Sequence, residues 1–423
     1  MKYLFGLLLV ITFAFPKAGL KLGGFPLYLS LLSMFAFQLW GAACVLKSKA
    51  NLLVCGAIIG SILLFFAMSA SSFAYASLPS AQISAYLAAM STFIVYFGAV
   101  KMESVLMIGR QVIGACFWFL VVYAFSQKTF GDYAVVVPGL TANYQEAVTP
   151  GFLADKNNMI WGLGYLKATS TYQNGNLFGV NLLLIGFAYV AILRERGSRF
   201  ILPLGVMGLA CLLTASASVF IGFAVGCMHL LVSFKAGARS AVFVSIAALA
   251  IGVPLFACIA LGDNLLASIL QERLLNRDLT EGGGRVVKVV AYLEALGRDP
   301  GLLFTGMLFY SRPFSEIYEI TYLSMLQMFG IVVTTVYLAF VGFRTFALRR
   351  TIYLTPVLAY LGAGLSDGAS WLPPTMTNFF LVLGICTAWM MKSRALATHR
   401  DGGIVGYALP RVGVRSLSSP VVN

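Results

Sequence analysis

The sequence predicts an all-α integral membrane protein with about twelve transmembrane helices, on the basis of its composition, its long apolar runs and the charges between them. Of the 423 residues, 60% are hydrophobic and 10% are charged, whereas soluble domains carry roughly 25% charged residues. A helix needs about 20 apolar residues to cross a bilayer, and such runs recur along nearly the whole chain. We therefore expect one polytopic membrane domain over residues 1–391, followed by a basic, disordered tail over residues 392–423.

The apolar runs define the expected spans in chain order. These are 3–19, 25–46, 52–70, 82–100, 108–125, 174–193, 200–215, 217–234, 240–262, 319–343, 352–368 and 375–391. The first run follows Met1 and Lys2 and also fits a secretory signal peptide. No small-residue cleavage pattern follows it, so we expect it to be retained as a helix.

The charges of the links predict how the helices are oriented. Lys and Arg accumulate in cytoplasmic loops, and with twelve spans every short basic link falls on one side together with both termini. That side holds 18 of the 29 Lys and Arg residues but only three of the 15 acidic residues. We therefore expect cytoplasmic termini. The net charge of +14 is explained by topology, and we expect no nucleic-acid partner.

Two outer loops, about 126–173 and about 263–318, are much longer than ordinary connections and are the candidate functional regions. The second loop carries more than half of the basic residues on the outer side, although Lys and Arg usually avoid that side. They are Arg273, Arg277, Arg285, Lys288, Arg298 and Arg312.

Helical spacing divides the second loop into two amphipathic segments on or in the outer membrane surface. Arg285, Lys288 and Tyr292 recur at i, i+3 and i+7, which puts them on one face, while valines and a leucine cover the other. An earlier segment places Arg273 and Arg277 over a Leu-rich face. Because the planar guanidinium group matches phosphate oxygens, one interpretation is that these arginines bind a phosphate-rich head group. The other is an interfacial helix whose charges are solvated or paired locally.

Two acidic residues lie at the outer mouth of the tenth expected span. Glu316, Glu319 and Tyr322 fall at i, i+3 and i+6 around the start of that helix. A carboxylate at this boundary can accept a proton from a hydroxyl group. Equally, an acid at a helix N-terminus stabilises the helix dipole. Asp367, in the last outer loop, is expected to be solvated.

Polar residues at the ends of spans are further candidates. Asn174 and Asn176 open the sixth span, where they either cap the helix or line a site. Ser216 belongs to a tight outer turn with Thr214 and Ser218, where helix capping is expected.

Both histidines of the chain, His229 and His399, fall on the inner side, so an outer-face reaction would not use an imidazole base. The sequence has no metal-ligand spacing and no nucleotide-binding motif in a credible place. We therefore expect neither a metal nor another cofactor.

Several stretches, in chain order, resemble the O-antigen polymerase and ligase families of polytopic membrane glycosyltransferases. QNGNLFGVNLLLIGFAYV resembles their Asn-containing helix start after a long outer loop, and LLTASASVFIGFAVG resembles their Thr- and Ser-rich hairpin. GGGRVVKVVAYLEALGRDPGLLFTGM is similar to their basic outer-loop helix, and EIYEITYLSMLQMFGIV is similar to the segment that opens the next span. The resemblance covers roughly residues 110–345.

The chain also departs from these families. They often have Arg beside the hairpin Ser, where Ala217 stands here. The ligases carry a His at the mouth of the span that begins EIYEITY, and this chain has Glu316 and Glu319 there. The second departure favours a polymerase over a ligase.

The resemblance implies a GT-C-like fold and a reaction at the periplasmic face of the bacterial inner membrane. The growing glycan would leave undecaprenyl diphosphate and join the non-reducing end of an incoming undecaprenyl-diphosphate-linked repeat unit. The loop cations, with Arg285 at their centre, would stabilise the leaving diphosphate, and Glu319 or Glu316 would orient or deprotonate the acceptor hydroxyl. The residues expected to line the glycan site are Tyr292, Tyr322, Asn174, Asn176 and Ser216.

Three alternatives stay open at this point. One is an O-antigen ligase, which transfers polymer to lipid A-core, and a second is a peptidoglycan polymerase of similar hydropathy. The third, from another class, is a lipid-linked glycan flippase or a secondary carrier, which would show charged residues at mid-membrane. The implied partners are the lipid-linked oligosaccharide and the membrane. Whether a chain-length regulator or a flippase also binds is left open.

Overall fold

The computed structural model describes ten stretches of the chain, and the structural statements below refer to them. They are residues 2–22, 25–47, 92–100, 103–149, 151–154, 158–160, 164–233, 285–306, 320–371 and 373–400. The expected spans 52–70 and 240–262 lie outside these stretches, as do the tail after residue 400 and most of the second long loop.

Helices dominate the described residues, as the composition predicts. They are α1 (Lys2–Ala14), α2 (Leu29–Leu46), α3 (Phe93–Val100), α4 (Glu103–Phe130), α5 (Tyr144–Ala147), α6 (Gly175–Glu195), α7 (Ile201–Leu213), α8 (Ala217–Val232), α9 (Arg285–Arg298), α10 (Leu302–Thr305), α11 (Thr321–Ala347), α12 (Thr355–Gly364) and α13 (Pro373–Arg400). The strands form two small antiparallel hairpins. They are β1 (Gly19–Leu22) with β2 (Phe25–Tyr28), and β3 (Met159–Ile160) with β4 (Tyr165–Leu166).

Four of the described helices are long and apolar enough to cross a membrane. Their spans are Leu29–Leu46, Gly109–Phe130, Gly175–Glu195 and Gly330–Ala347. Four shorter apolar helical segments accompany them: Tyr3–Ala14, Ile201–Leu213, Ala217–Val232 and Ile352–Gly364. Helices suit a bilayer because each satisfies its own backbone hydrogen bonds. The described residues are therefore mostly helical and apolar, as in an all-α membrane protein. The total of twelve spans stays a prediction.

Helix α6 is the centre of the bundle. Of its 21 residues, 16 are buried, and it packs against α4, α7, α8, α12 and α13. Its sequence is apolar on every side, which is typical of a helix with no exposed face. Glycines allow the close packing around it, because a Cβ at Gly179 would lie 2.2 Å from the Val219 side chain, and one at Gly222 would lie 2.6 Å from the Ala359 carbonyl oxygen.

Helix ends gather at two opposite ends of the bundle. We call the end at which residues 131–173 fold the loop end. There the backbone N–H of Ala168 donates to the carbonyl of Leu213 at the end of α7, 2.8 Å away. The start of α11 reaches the turn after α12 at the same end.

The opposite end of the bundle is held together by α6, α8 and α13. The guanidinium of Arg194 donates to the Ser233 carbonyl oxygen at 2.6 Å, and the Ser393 hydroxyl donates to Glu195 at 2.5 Å. The C-terminal parts of α6, α8 and α13 therefore meet here, so these three helices run in the same direction and residues far apart in sequence come together.

Candidate functional site

The first long loop folds as a compact layer against the loop end. Its small apolar core consists of Ala142, Phe152, Leu153 and Leu166. Among its described residues after α4, the regular structure consists of α5, the β3–β4 hairpin and a 3-10 turn at Ser170–Tyr172. The sequence predicted amphipathic helices for the second long loop, and among the described residues that follow α4 in this first loop the only α-helix has four residues.

Buried polar side chains fasten this layer to the bundle. Gln127, near the end of α4, is 1% exposed, and its Oε1 accepts the backbone N–H of Ser170 at 2.8 Å. The hydroxyl of Thr171 donates to the Ala14 carbonyl at 2.6 Å, and that of Tyr172 donates to the Phe13 carbonyl at 2.7 Å. Because buried polar groups are costly unless they are paired, these bonds fix residues 169–173 in one place.

Three non-glycine residues at the loop end have left-handed backbone conformations. Ser170 has φ 46°, Gln173 has φ 59° and Ala215 has φ 46°. Each such residue costs on the order of 1–3 kcal/mol and persists only where its surroundings hold it, often at functional sites. Asn158 helps to fix this conformation. Its Nδ2 donates to the Gln173 carbonyl at 2.9 Å, and its Oδ1 accepts the Gly175 N–H at 2.9 Å.

Lys167, Asn176 and Asp367 meet between this layer and the helix ends, and we call them the polar cluster. Asn176 Nδ2 donates to Asp367 Oδ2 at 2.5 Å, and Lys167 Nζ donates to Asn176 Oδ1 at 3.3 Å. Lys167 and Asp367 are each only 7% exposed. The expectation of a solvated Asp367 is therefore wrong, because the turn after α12 folds inward over α6.

The start of α11 holds the backbone of this turn. Thr321, the first residue of α11, donates its hydroxyl to the Asp367 carbonyl at 2.7 Å. Buried charged groups need partners and hydrogen bonds, and the cluster brings a cation, an amide and a carboxylate together at the mouth of an apolar bundle. Such a set can orient a hydroxyl group and accept its proton.

The two asparagines that open α6 have different roles. Asn174 is the N-cap, because its side chain accepts the backbone N–H groups of Asn176 and Leu177 at 3.0 Å each. Asn176 is the second residue of the helix, and both ends of its amide are bonded within the cluster, the Nδ2 to Asp367 and the Oδ1 to Lys167. The sequence left capping and site lining open for both residues. The geometry assigns capping to Asn174 and places Asn176 in the polar cluster.

We expect Asn174→Ala to lower the free energy of unfolding by about 1 kcal/mol, because it removes the acceptor for two N–H groups at the start of α6. Asn174→Asp is the matched control, since a carboxylate accepts the same bonds and should unfold close to wild type. Thermal unfolding of the purified protein measures both variants. Equal losses in the two variants would mean that the cap is not what Asn174 contributes.

A second group of polar contacts, close to the polar cluster in sequence, attaches the loop layer to α4 and α7. It consists of Lys128, Asp132 and Tyr165. Lys128 Nζ lies 2.7 Å from Asp132 Oδ1 and 4.7 Å from the centre of the Tyr165 ring, and it also donates to the Leu166 carbonyl. The Tyr165 hydroxyl donates to the Leu213 carbonyl at 2.7 Å. Burial, with a smaller contribution from Asp132, raises the pKa of Tyr165. The phenol therefore stays neutral and acts as a structural donor.

The turn around Ser216 is buried but does not form the expected cap. Ser216 begins α8 without a side-chain capping bond, and its hydroxyl lies 2.8 Å from that of Ser218. Thr214 instead donates to the Cys211 carbonyl at 2.6 Å. The expectation of hydroxyl caps is wrong for Ser216, because the backbone turns at Ala215 and leaves the two serines facing each other.

Helix α9 contains the basic sequence of the second long loop, and its exposure pattern identifies the face that meets the protein. Residues 285, 288, 292 and 295 follow the spacing of one face. Of these, Tyr292 and Ala295 have described side chains, and they are 4% and 9% exposed. On the other side, Val290 is 47% and Leu293 is 60% exposed. The face predicted to carry Arg285 and Lys288 is therefore the face turned toward the protein.

Arg298 belongs to the other side of α9. Thirteen residues after Arg285 at 100° each, it lies roughly 140° around the helix. Its side chain is 82% exposed, and its nearest acid is Glu294 at 4.0 Å. The sequence grouped Arg298 with Arg285 by charge alone, and the helix separates them.

The end of α9 is anchored to α11 through α10. Gly330 breaks the helical conformation of α11 with φ 73° and ψ 175°, and a Cβ there would lie 2.1 Å from the Phe304 carbonyl oxygen. The backbone of α10 therefore sits directly in this break. Tyr322, the second residue of α11, donates its hydroxyl to the Leu361 carbonyl at 2.9 Å and so ties α11 to α12.

Five predicted site residues lie outside the described stretches: Arg273, Arg277, Arg312, Glu316 and Glu319. The backbone of Arg285 and Lys288 is described, but their side chains are not. Within the described residues, no group of three His, Cys, Asp or Glu side chains is placed to hold a metal ion.

Sequence reasoning missed Lys167 and the burial of Asp367. A usable signal was present, because Asp367 is the one acidic residue between Glu319 and Asp401, and an acid at the mouth of an apolar bundle is a functional candidate by default. No protein-family model, no curated protein and no solved structure matches the chain.

Proposed function

We propose that the chain is an O-antigen-type polysaccharide polymerase of the bacterial inner membrane. It transfers the growing glycan from undecaprenyl diphosphate to the non-reducing end of an incoming lipid-linked repeat unit at the periplasmic face. The observation that supports this proposal most is the polar cluster of Lys167, Asn176 and Asp367. It joins a cation, an amide and a carboxylate at one end of an apolar helical bundle.

In the proposed reaction, the bond between the sugar C1 and the diphosphate oxygen breaks, and a bond from C1 to the acceptor hydroxyl oxygen forms. The acceptor proton passes to a carboxylate, and the electron pair leaves with the diphosphate. Asp367 with Asn176 is placed to orient the acceptor, and Glu319 or Glu316 stays the base that the sequence predicts. Cations on the inner face of α9 stabilise the leaving diphosphate.

The location of the polar residues favours an enzyme over a carrier. In carriers, charged residues lie at mid-membrane between broken helices. Within the described part of the chain, the buried polar network that joins α6 to α13 consists of neutral groups, with Asn378 donating to Asn181 at 2.6 Å and Asn181 donating to Thr375 at 2.9 Å. The charged cluster lies at the helix ends, where a lipid-linked substrate can present its head group.

We expect Arg285→Ala, at unchanged protein level, to abolish the ladder of polysaccharide lengths in a cell that makes this polymer. Lipid A-core with one repeat unit should accumulate, because the leaving diphosphate loses its stabilisation. Arg298→Ala should leave the ladder close to wild type, since that guanidinium lies on the exposed side of α9. Gel separation of the extracted lipopolysaccharide measures both.

Deletion of the gene separates this proposal from its rivals. A full ladder in both the deletion strain and the Arg285→Ala strain would contradict the polymerase proposal. Core without any repeat, together with undecaprenyl-linked polymer, would show a ligase instead. Lipid-linked single repeats trapped on the cytoplasmic side would show a flippase.

A further inference from the structure

Arg344 lies in an aromatic cage near the end of α11, at the end of the bundle opposite the polar cluster. Its guanidinium carbon is 5.1 Å from the ring centre of Tyr96, 5.4 Å from those of Phe97 and Phe340, and 5.5 Å from that of Phe343. Helix α3 supplies two of these rings and α11 the other two. Cation–π contacts at such distances hold the side chain in one orientation.

The cage leaves the hydrogen-bonding capacity of this guanidinium unused. Arg344 Nε is buried without a hydrogen-bond partner, and no carboxylate among the described residues lies within ion-pair distance of the side chain. Arg349, five residues later, behaves differently, because its Nη1 donates to the Phe346 carbonyl at 3.2 Å and so caps the end of α11. Helix capping therefore explains Arg349 but does not explain Arg344.

The surroundings of Arg344 are those of a lipid-facing helix. Only 18% of the span Gly330–Ala347 is buried, and its exposed side includes Val336 at 66% and Phe343 at 69%. The sequence from Ile320 to Ser366 contains no acidic residue. A fixed cation with unused donors thus lies at the end of an apolar surface, where the head group of a lipid packed along α11 would be.

We propose that Arg344 binds the phosphate of an anionic phospholipid whose acyl chains pack along the exposed side of α11. The guanidinium fork matches phosphate oxygens, and the cage orders it in advance, which reduces the entropic cost of binding. The site lies at the opposite end from the proposed transfer reaction and does not depend on it. Basic sites between helices are a known means of recognising anionic head groups.

The test is thermal unfolding of the full-length protein in neutral detergent, titrated with phosphatidylglycerol. Wild type should show a saturable rise in Tm with this lipid, and neither phosphatidylcholine nor inorganic phosphate should reproduce the rise. Arg344→Gln should weaken the apparent affinity about tenfold or more, as expected for the loss of charge-assisted hydrogen bonds. Arg350→Gln is the matched control, because it removes an equal charge from an exposed position six residues away.

Arg344→Lys separates specific binding from general attraction. It keeps the charge but loses the planar fork and its stacking on the rings, so the proposal expects an affinity closer to Arg344→Gln than to wild type. If Arg344→Lys matched wild type, or Arg350→Gln weakened binding as much as Arg344→Gln, the accumulation of basic residues alone would explain the effect and the proposal would fail. Equal stabilisation by phosphatidylcholine or by inorganic phosphate would also overturn it.

Discussion

Asp367→Asn is expected to stop polysaccharide growth while the protein stays in the membrane at its normal level. The substitution preserves shape but replaces a carboxylate oxygen, which accepts from Asn176 at 2.5 Å, with an amide that no longer carries charge or takes up a proton. Since the misplacement of a reacting group by about 1 Å can cost roughly 10²-fold in rate, we expect the loss of this orienting carboxylate to slow chain extension about a hundredfold. The rate of chain extension in isolated membranes with a lipid-linked repeat unit measures it.

The control for Asp367 is another acid at the loop end. Asp132 pairs with Lys128 at 2.7 Å, and its side chain is 24% exposed, so Asp132→Asn should extend chains at nearly the normal rate. Thermal unfolding of both variants distinguishes a chemical role from a structural one. Normal extension by Asp367→Asn would remove this residue from the site, and a large loss of stability without a specific loss of rate would make it structural.

Gly330→Ala is the substitution from which we expect the largest structural effect. The residue has φ 73°, which strains a residue with a side chain by on the order of 1–3 kcal/mol. The new Cβ would also lie 2.1 Å from the Phe304 carbonyl oxygen and 2.5 Å from its carbon. To relieve this overlap, either α10 moves out of the break in α11 or α11 itself shifts. We therefore expect a loss of more than about 3 kcal/mol in unfolding free energy, together with loss of chain growth.

Gly342 provides the matched control on the same helix. A Cβ there meets nothing within 4 Å, and alanine favours a helix over glycine by about 1 kcal/mol. Gly342→Ala should therefore unfold at or above the wild-type temperature. If Gly330→Ala and Gly342→Ala unfolded at the same temperature, this would contradict the packing of α10 against the break in α11.

The sequence predicted the helices well wherever an apolar run coincides with a whole helix. The expected span 174–193 corresponds to Gly175–Glu195 and the span 217–234 to Ala217–Val232. It was less accurate at α1, expected to reach residue 19 but ending at Ala14. It was also less accurate at α2, expected from residue 25 but beginning at Leu29, because β2 uses apolar residues that hydropathy does not distinguish from helical ones. Hydropathy measures burial in lipid or protein, not backbone conformation.

The candidate site was only partly predictable for a related reason. Asn176 was named because it opens a span, but its partner Asp367 is 191 residues away. Local spacing carries no information about a contact at that separation. The two faces of α9 were assigned by periodicity, but which face meets the protein depends on where Tyr292 packs.

The sequence by itself determined that this is an apolar, helical membrane protein, because the shortage of charged residues and the length of the apolar runs leave a chain few other ways to satisfy its backbone in lipid. It also determined where the basic residues accumulate along the chain. Only the tertiary structure decided that Lys167, Asn176 and Asp367 form one cluster, that Arg298 lies on the exposed side of α9, and that Arg344 lies in an aromatic cage. These are contacts between distant segments, and helix packing, not local pattern, sets them.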